Sequence, residues 1–200
     1  MSEWFDIAFT PSVIALQERA GSREHYAFAP SDAHEESPHR LSDDEVGMIQ
    51  TRDSIYMATT SETGWPYVQH RGGEPGFVHV IDESTIGWVE RSGNRQYVGT
   101  GNLTEDGRVA LILMDYPTRT RLKVWGRATH HPEPSAALLR QLGAEGIRPD
   151  GAITIDVVAT AWNCPKYITP RFTEAEVAEL THPLLERIAE LEAQLSPDRS

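Results

Sequence analysis

Cysteine is all but missing from this sequence. Cys164 is the single thiol in 200 residues, so no intrachain disulfide can form and the fold must rest on its apolar core. Long hydrophobic runs are missing too. No segment approaches the roughly 20 apolar residues that span a bilayer, and Met1 to Asp6 carry neither a basic leader nor an apolar stretch. The expectation is a cytoplasmic protein with no membrane partner. Positive charge is scarce, with 18 Lys and Arg against 30 Asp and Glu and a formal net charge of −12. Such a surface repels a phosphate backbone over any broad face, so nucleic acid is not an expected partner either. Internal repeats, low-complexity tracts, a Gly-Lys-Ser/Thr phosphate loop, a Gly-x-Ser-x-Gly elbow and a Gly-x-Gly-x-x-Gly fingerprint are all absent. His34 with His39, and His130 with His131, form no recognisable metal-ligand array. Cys164 has no sequence context that would make it a reactive thiolate.

What is present divides into three stretches: residues 1–50 as N-terminal helices and a connecting arm, 51–170 as the main domain, and 171–200 as a C-terminal helix. Thr10-Pro11 predicts a helix start, with Pro11 at the first helical position and a stop at Gly21. His25 to Arg40 mixes Pro30, Pro38, acids and histidines without period and reads as a solvated connection or an arm over a partner. Ser42-Asp43-Asp44-Glu45 predicts a capping box that opens a helix. The period then changes to two. Ile55 to Thr60 and Tyr67 to Arg71 flank a turn at Gly64, Phe77 to Ile81 and Thr85 to Val89 flank Asp82-Glu83-Ser84, and Val109 to Met114 and Arg121 to Thr129 flank Tyr116-Pro117-Thr118. With Ala152 to Ala159 as a further strand, these short hairpins predict a mainly β fold with peripheral helices, a small antiparallel barrel. Pro134 to Leu142 predicts one such helix. Thr173 with Glu176 predicts a second capping box, after which Val177, Leu180, Leu184, Ile188, Leu191 and Leu195 recur at helical spacing. Pro183 should kink or split that helix. Packing on its own barrel is the simpler expectation for it, a dimer seam the alternative.

The scarce cations are concentrated. Arg71, Arg95, Arg119, Arg121, Lys123 and Arg127 lie in the β-rich stretch, which predicts an anionic small-molecule ligand, a phosphate above all. Ser92-Gly93-Asn94-Arg95-Gln96-Tyr97 follows a strand and opens a short helix, whose free N–H groups and positive dipole end would add to Asn94 and Arg95 as a phosphate cradle.

Three further segments complete a pattern: Gly64-Trp65-Pro66-Tyr67-Val68-Gln69-His70-Arg71-Gly72-Gly73, Asp106-Gly107-Arg108-Val109-Ala110-Leu111, and Arg121-Leu122-Lys123-Val124-Trp125-Gly126-Arg127-Ala128. In this order, with Gly93-Asn94-Arg95-Gln96 between, the sequence resembles the pyridoxamine 5′-phosphate oxidase-like superfamily of FMN-binding split barrels. The resemblance implies a homodimer with FMN at its interface and an oxidoreductase acting on a small-molecule substrate. It implies that Gln69, His70, Arg71 and Gly72 line the ring or ribityl chain, with Gly72-Gly73 admitting the ring closely. Val89 and Glu90 would lie beside the ring, and Asn94, Arg95 and Gln96 would hold the phosphate, with Arg121 and Lys123 reaching in. His70 is the candidate acid or base, and Trp162 to Tyr167 a candidate lid. Two departures weigh against true pyridoxamine phosphate oxidation: Asn94-Arg95-Gln96 replaces the usual Ser-Arg-Lys, and the arginine-rich ending is absent. A binding protein for flavin or haem without turnover, with His70, His79 or His130 as axial candidates, or a deazaflavin-dependent reductase, is the alternative.

Overall fold

A computed structural model describes residues 2–26, 39–163 and 165–195; Cys164, His34 and most of the proposed arm lie outside them. Its centre is one antiparallel sheet of seven strands: β1 (Ser54–Thr60), β2 (Pro66–Gly72), β3 (His79–Val80), β4 (Thr85–Glu90), β5 (Arg108–Asp115), β6 (Thr120–His131) and β7 (Gly151–Trp162). The order across the sheet is β2-β1-β5-β6-β7-β4-β3. The three predicted hairpins form, although the second is reduced to a two-residue β3. Helices α1 (Ser2–Ala8), α2 (Pro11–Arg19), α3 (Asp43–Gln50), α4 (Val98–Glu105), α5 (Ala136–Gln141) and α6 (Glu174–Leu195) surround it.

Alternation puts one face of each strand inside. Ile55 and Met57 of β1, Leu111 and Leu113 of β5, Leu122 and Val124 of β6, and Ile153 and Ile155 of β7 are all fully buried, joined by Ile86 and Trp88 of β4. Opposite Trp125/Gly126, the unpaired Val158 makes a bulge that bends β7 against β6, where a side chain on Gly126 would run into Ile155 and the Asp156 carbonyl. The sheet rolls up so far that β2 and β4, five places apart in its order, come within ion-pair distance of each other through Arg71 and Glu90, 3.0 Å. The barrel is thus split between those strands. Helix α4 plugs its interior, where the buried Asn102 donates to Thr59 at 2.9 Å.

Both capping boxes form: Ser42 with Glu45 opens α3, and Thr173 with Glu176 opens α6. Glu45 goes further. It is 5% exposed, and its carboxylate ties α3 to His39 and to Thr160 of β7. Helix α6 departs from expectation. It is one continuous element from Glu174 to Leu195 with Pro183 inside it, so the proline does not split it; the turn around a proline can forgo one backbone bond where solvent satisfies the freed carbonyl. It also does not pack on its own barrel, since none of its residues is buried. Helix α1, not anticipated, is anchored where Trp4 stacks on Trp125 with centroids 4.0 Å apart.

Candidate functional site

A cavity of about 490 Å³ occupies the split. On one side stand Tyr67, Gln69 and Arg71, the residues of β2 whose register partners Thr59, Met57 and Ile55 are buried, so they share the inner face. On the other stand Trp88, Val89 and Glu90 of β4. The Arg71 and Glu90 side chains are only 18% and 12% exposed. Glu90 Oε2 meets Arg71 Nη2, and its Oε1 accepts from Trp88 Nε1 at 2.7 Å. Both carboxylate oxygens are therefore engaged, and the pair staples the split. Arg71 Nε is buried with no partner, an N–H left over for something else.

Beyond β4 the chain runs through Arg91 to Tyr97 along the cavity into α4. Asn94 Oδ1 accepts the Gln96 amide at 3.1 Å, a local turn. Arg95 and Tyr97 sit at φ 58° and 53°, two of the four non-glycine residues in the left-handed region among those described. Each costs on the order of 1–2 kcal/mol. Left-handed residues are a component of anion-binding nests, in which successive amides turn to one side; here the Gln96 amide is already taken by Asn94. Asn94, Arg95 and Gln96 are not in the helix itself, which begins at Val98; the predicted helix start is displaced by that turn. The first turn of α4, Val98 to Thr100, still borders the same cavity, so its free N–H groups add to the loop. Neither Arg91 nor Arg95, both of which border the cavity, has a carboxylate partner among the described residues, so both carry uncompensated charge here.

The far end of the cavity is built from parts sequence reasoning did not bring together: Phe77, His79, His130, Leu142, Ala144 and Ile147. Burial holds the His79 pKa below its ordinary 6.5. Burial also lowers that of His130, with His131 and Arg71 acting in the same direction and Glu90 opposing. Both imidazoles are neutral at neutral pH. Their meeting depends on the order in which β3, β4, β7 and β6 pair, which no local pattern states. For His70 there was a signal. Period two places it opposite Gln69 and Arg71, and its ring packs edge-on to Tyr56 at 5.5 Å on the outer face, bordering the cavity from the other side of this edge strand.

Other expected residues stand apart. Arg121 and Lys123 share a face, as predicted, but it is the outer face of β6, away from the cavity. The Lys123 amine lies 5.7 Å from the Trp4 ring centroid, and burial, then Arg121, lowers its pKa. Arg121 Nε is buried without a partner. Trp162 borders a separate depression with Asp44 and Met48, and Tyr167 is 91% exposed, so this segment is no lid in the single chain. Gly72 and Gly73, by contrast, do border the cavity, and they are also hemmed in by their own chain: a Cβ on Gly73 would meet Phe77 at 2.7 Å, and one on Gly72 would meet His70 at 3.0 Å. Among the described residues no group of three His, Cys, Asp or Glu could hold a metal, and no helix is long and apolar enough to cross a membrane.

The fold and this cavity accord with a family match: the pyridoxamine 5′-phosphate oxidase family model aligns with residues 42–159, more than half of the chain. The chain belongs to that family. No curated protein matches it. Similar solved structures include a putative pyridoxamine 5′-phosphate oxidase from Lactobacillus delbrueckii, at 22% identity and TM-score 0.48 over 61% of this chain and 93% of that one. An FMN-binding protein from Syntrophomonas wolfei is similar at 11% identity and TM-score 0.45, covering 60% and 83%. The haem storage protein HutZ from Vibrio cholerae is similar at 14% identity and TM-score 0.42, covering 60% and 91%.

Proposed function

We propose that the cavity in the split binds FMN and that the protein is an FMN-dependent oxidoreductase working as a homodimer on a small molecule. The observation that carries this reading is the presence around one cavity of the left-handed Arg95/Tyr97 loop, the unpaired Arg95 charge, the orphaned Arg71 Nε and the open turn of α4. That donor set fits a phosphate: rigid guanidinium donors and backbone amides, with no acceptor competing on Arg71 Nε. The volume falls in the range of roughly 300–1,000 Å³ usual for cofactor-sized ligands. Arg95, Asn94 and Gln96 would hold the phosphate. Arg71, fixed by Glu90, would donate Nε–H without adding net charge, and Trp88, Val89 and Phe77 would offer an apolar flank to the ring beside Gln69.

Flavin, when bound, supplies the hydride or electron transfer, and the chain supplies binding, orientation and exclusion of water. The second copy would cover the outer face of the sheet, where Tyr56, Val68 and Ile112 are 40%, 62% and 38% exposed. There it would meet Arg121 and Lys123, the cations that one chain cannot bring to its own cavity, and His70, the one acid–base candidate. The neutral His79 and His130 favour a second reading, haem binding without turnover, because iron takes a neutral imidazole. The visible spectrum of the purified protein, followed by addition of NADPH, separates the two. Flavin bands that bleach and recover in air support the oxidoreductase; a Soret band overturns it.

A further inference from the structure

Helix α6 carries an extended apolar stripe with no cover among the described residues: Val177, Leu180, Leu184, Ile188, Leu191 and Leu195 are 41–82% exposed. A helix of 22 residues holds three heptads. Placing Leu184 and Leu191 at the d positions puts Thr181, Ile188 and Leu195 at a and Val177 at the preceding d. The central layers, Leu184 at d, Ile188 at a and Leu191 at d, follow the pairing of isoleucine at a with leucine at d that favours two parallel strands. The same register puts Glu176, Glu179, Glu186, Glu190 and Pro183 at the outward b, c and f positions, away from the seam, and leaves Glu174, the first residue of the helix, as the only acid at an a position. It leaves Leu180 and Arg187 at g, and Leu185 and Glu192 at e.

In a parallel pair each g faces the following e of the other helix. Leu180 then meets Leu185 of a second copy, and Arg187 meets Glu192 of a second copy, one apolar and one oppositely charged contact, each made twice. In an antiparallel pair g faces g and e faces e, and centred on this seam Arg187 would meet Arg187 of the other copy, while Glu192 would meet only Ala178. The basic outer face of the barrel is no better suited as occupant. At e and g α6 would bring to it Leu180, Leu185 and Arg187 with a single acid, Glu192, and most of its glutamates point away.

We propose that α6 zips with α6 of a second copy of this chain as a parallel two-stranded coiled coil, a seam separate from the barrel contact proposed above and independent of any cofactor. The test is carried out on the full chain with Cys164→Ser. Leu191→Cys, at the d position, forms a disulfide-linked dimer on mild oxidation, while Glu186→Cys, at the outward f position and equally exposed to oxidant, does not. Arg187→Glu slows that cross-linking about fivefold, and Arg187→Glu with Glu192→Arg restores it. Circular dichroism and thermal scans establish that each variant is folded, and sedimentation gives its oligomeric state. Dimers that do not cross-link at 191 overturn the coiled coil while leaving the barrel homodimer standing. Cross-linking of both cysteines alike overturns it as adventitious, and monomers throughout overturn both, with FMN affinity then measured on the monomer.

Discussion

Glu45 is the residue whose replacement the structure quantifies best. Its Oε2 accepts from the Ser42 amide at 2.8 Å, from Ser42 Oγ at 3.0 Å and from His39 Nε2 at 3.3 Å, while Oε1 takes a short bond from Thr160. Burial by itself would raise its pKa. The hydrogen bonds from His39, Thr160 and Ser42 win and hold it at about 2, against an ordinary 4.5. At 1.36 kcal/mol per unit, that depression amounts to about 3 kcal/mol of folding stability. The unfolded carboxylate takes its proton first, near pH 4.5, so the stabilisation is complete above about pH 5 and is lost as the pH falls toward 2. Glu45→Gln should therefore cost about 3 kcal/mol at pH 7, a Tm lower by roughly 6–12 °C for a chain of this size. The assay is urea unfolding of both proteins at pH 7, 4 and 2.5. Because other carboxylates titrate in the same window, the readout is the difference between the two, which should shrink toward zero at the lowest pH. A difference that stays constant with pH, or none at pH 7, would refute the reasoning.

Gly126→Ala should destabilise the barrel by about 3 kcal/mol in the same urea assay, since the new Cβ would lie 2.7 Å from the Asp156 carbonyl at the bulge and neither backbone can swing away; a cost under about 1 kcal/mol would show that the bulge relaxes. Gly99→Ala should leave stability unchanged or slightly raised, because alanine favours α4. Its Cβ would crowd Gln69 Oε1, 2.8 Å away, and displacing that side chain from the cavity should weaken FMN binding about fivefold, the worth of one neutral hydrogen bond. For His79 and His130 the folded pKa lies below the unfolded value, so they cost stability as the pH falls through 6.5. Ring resonances followed by NMR should stay in the neutral form at pH 6.5, and half-protonation there would contradict the burial that defines the far end of the cavity.

The parts of the molecule written locally were legible in its sequence. Ser42 with Glu45, Thr173 with Glu176, and the turns at Gly64 and Pro117 each state their geometry within a few residues, and both boxes and both hairpins are found where those residues stand. Long-range pairing was not legible. Nothing in Ala152 to Ala159 says that this strand lies between β4 and β6, and it is that placement which gathers His79, His130 and Leu142 around one cavity. Helix α1 was missed because it has no cap signal and is held by a tertiary stack on Trp125. The loop at Arg95 drew notice because an arginine beside Gly-Asn in an acidic chain is conspicuous, but its backbone carries two left-handed residues ahead of the helix rather than a helix start. Arg121 and Lys123 were placed by resemblance at a site that their own strand turns them away from, and a second copy is what would reconcile the two.

The central claim is that the loop at Arg95 holds a phosphate in the split of the barrel, and an FMN titration followed by flavin fluorescence tests it most directly. The wild-type protein should take up FMN with quenching, and Arg95→Ala should bind at least tenfold more weakly, as expected when a charge-assisted hydrogen bond of about 1.5–3 kcal/mol is lost, at unchanged Tm. No uptake by the wild type, or equal affinity in the variant, would contradict the account.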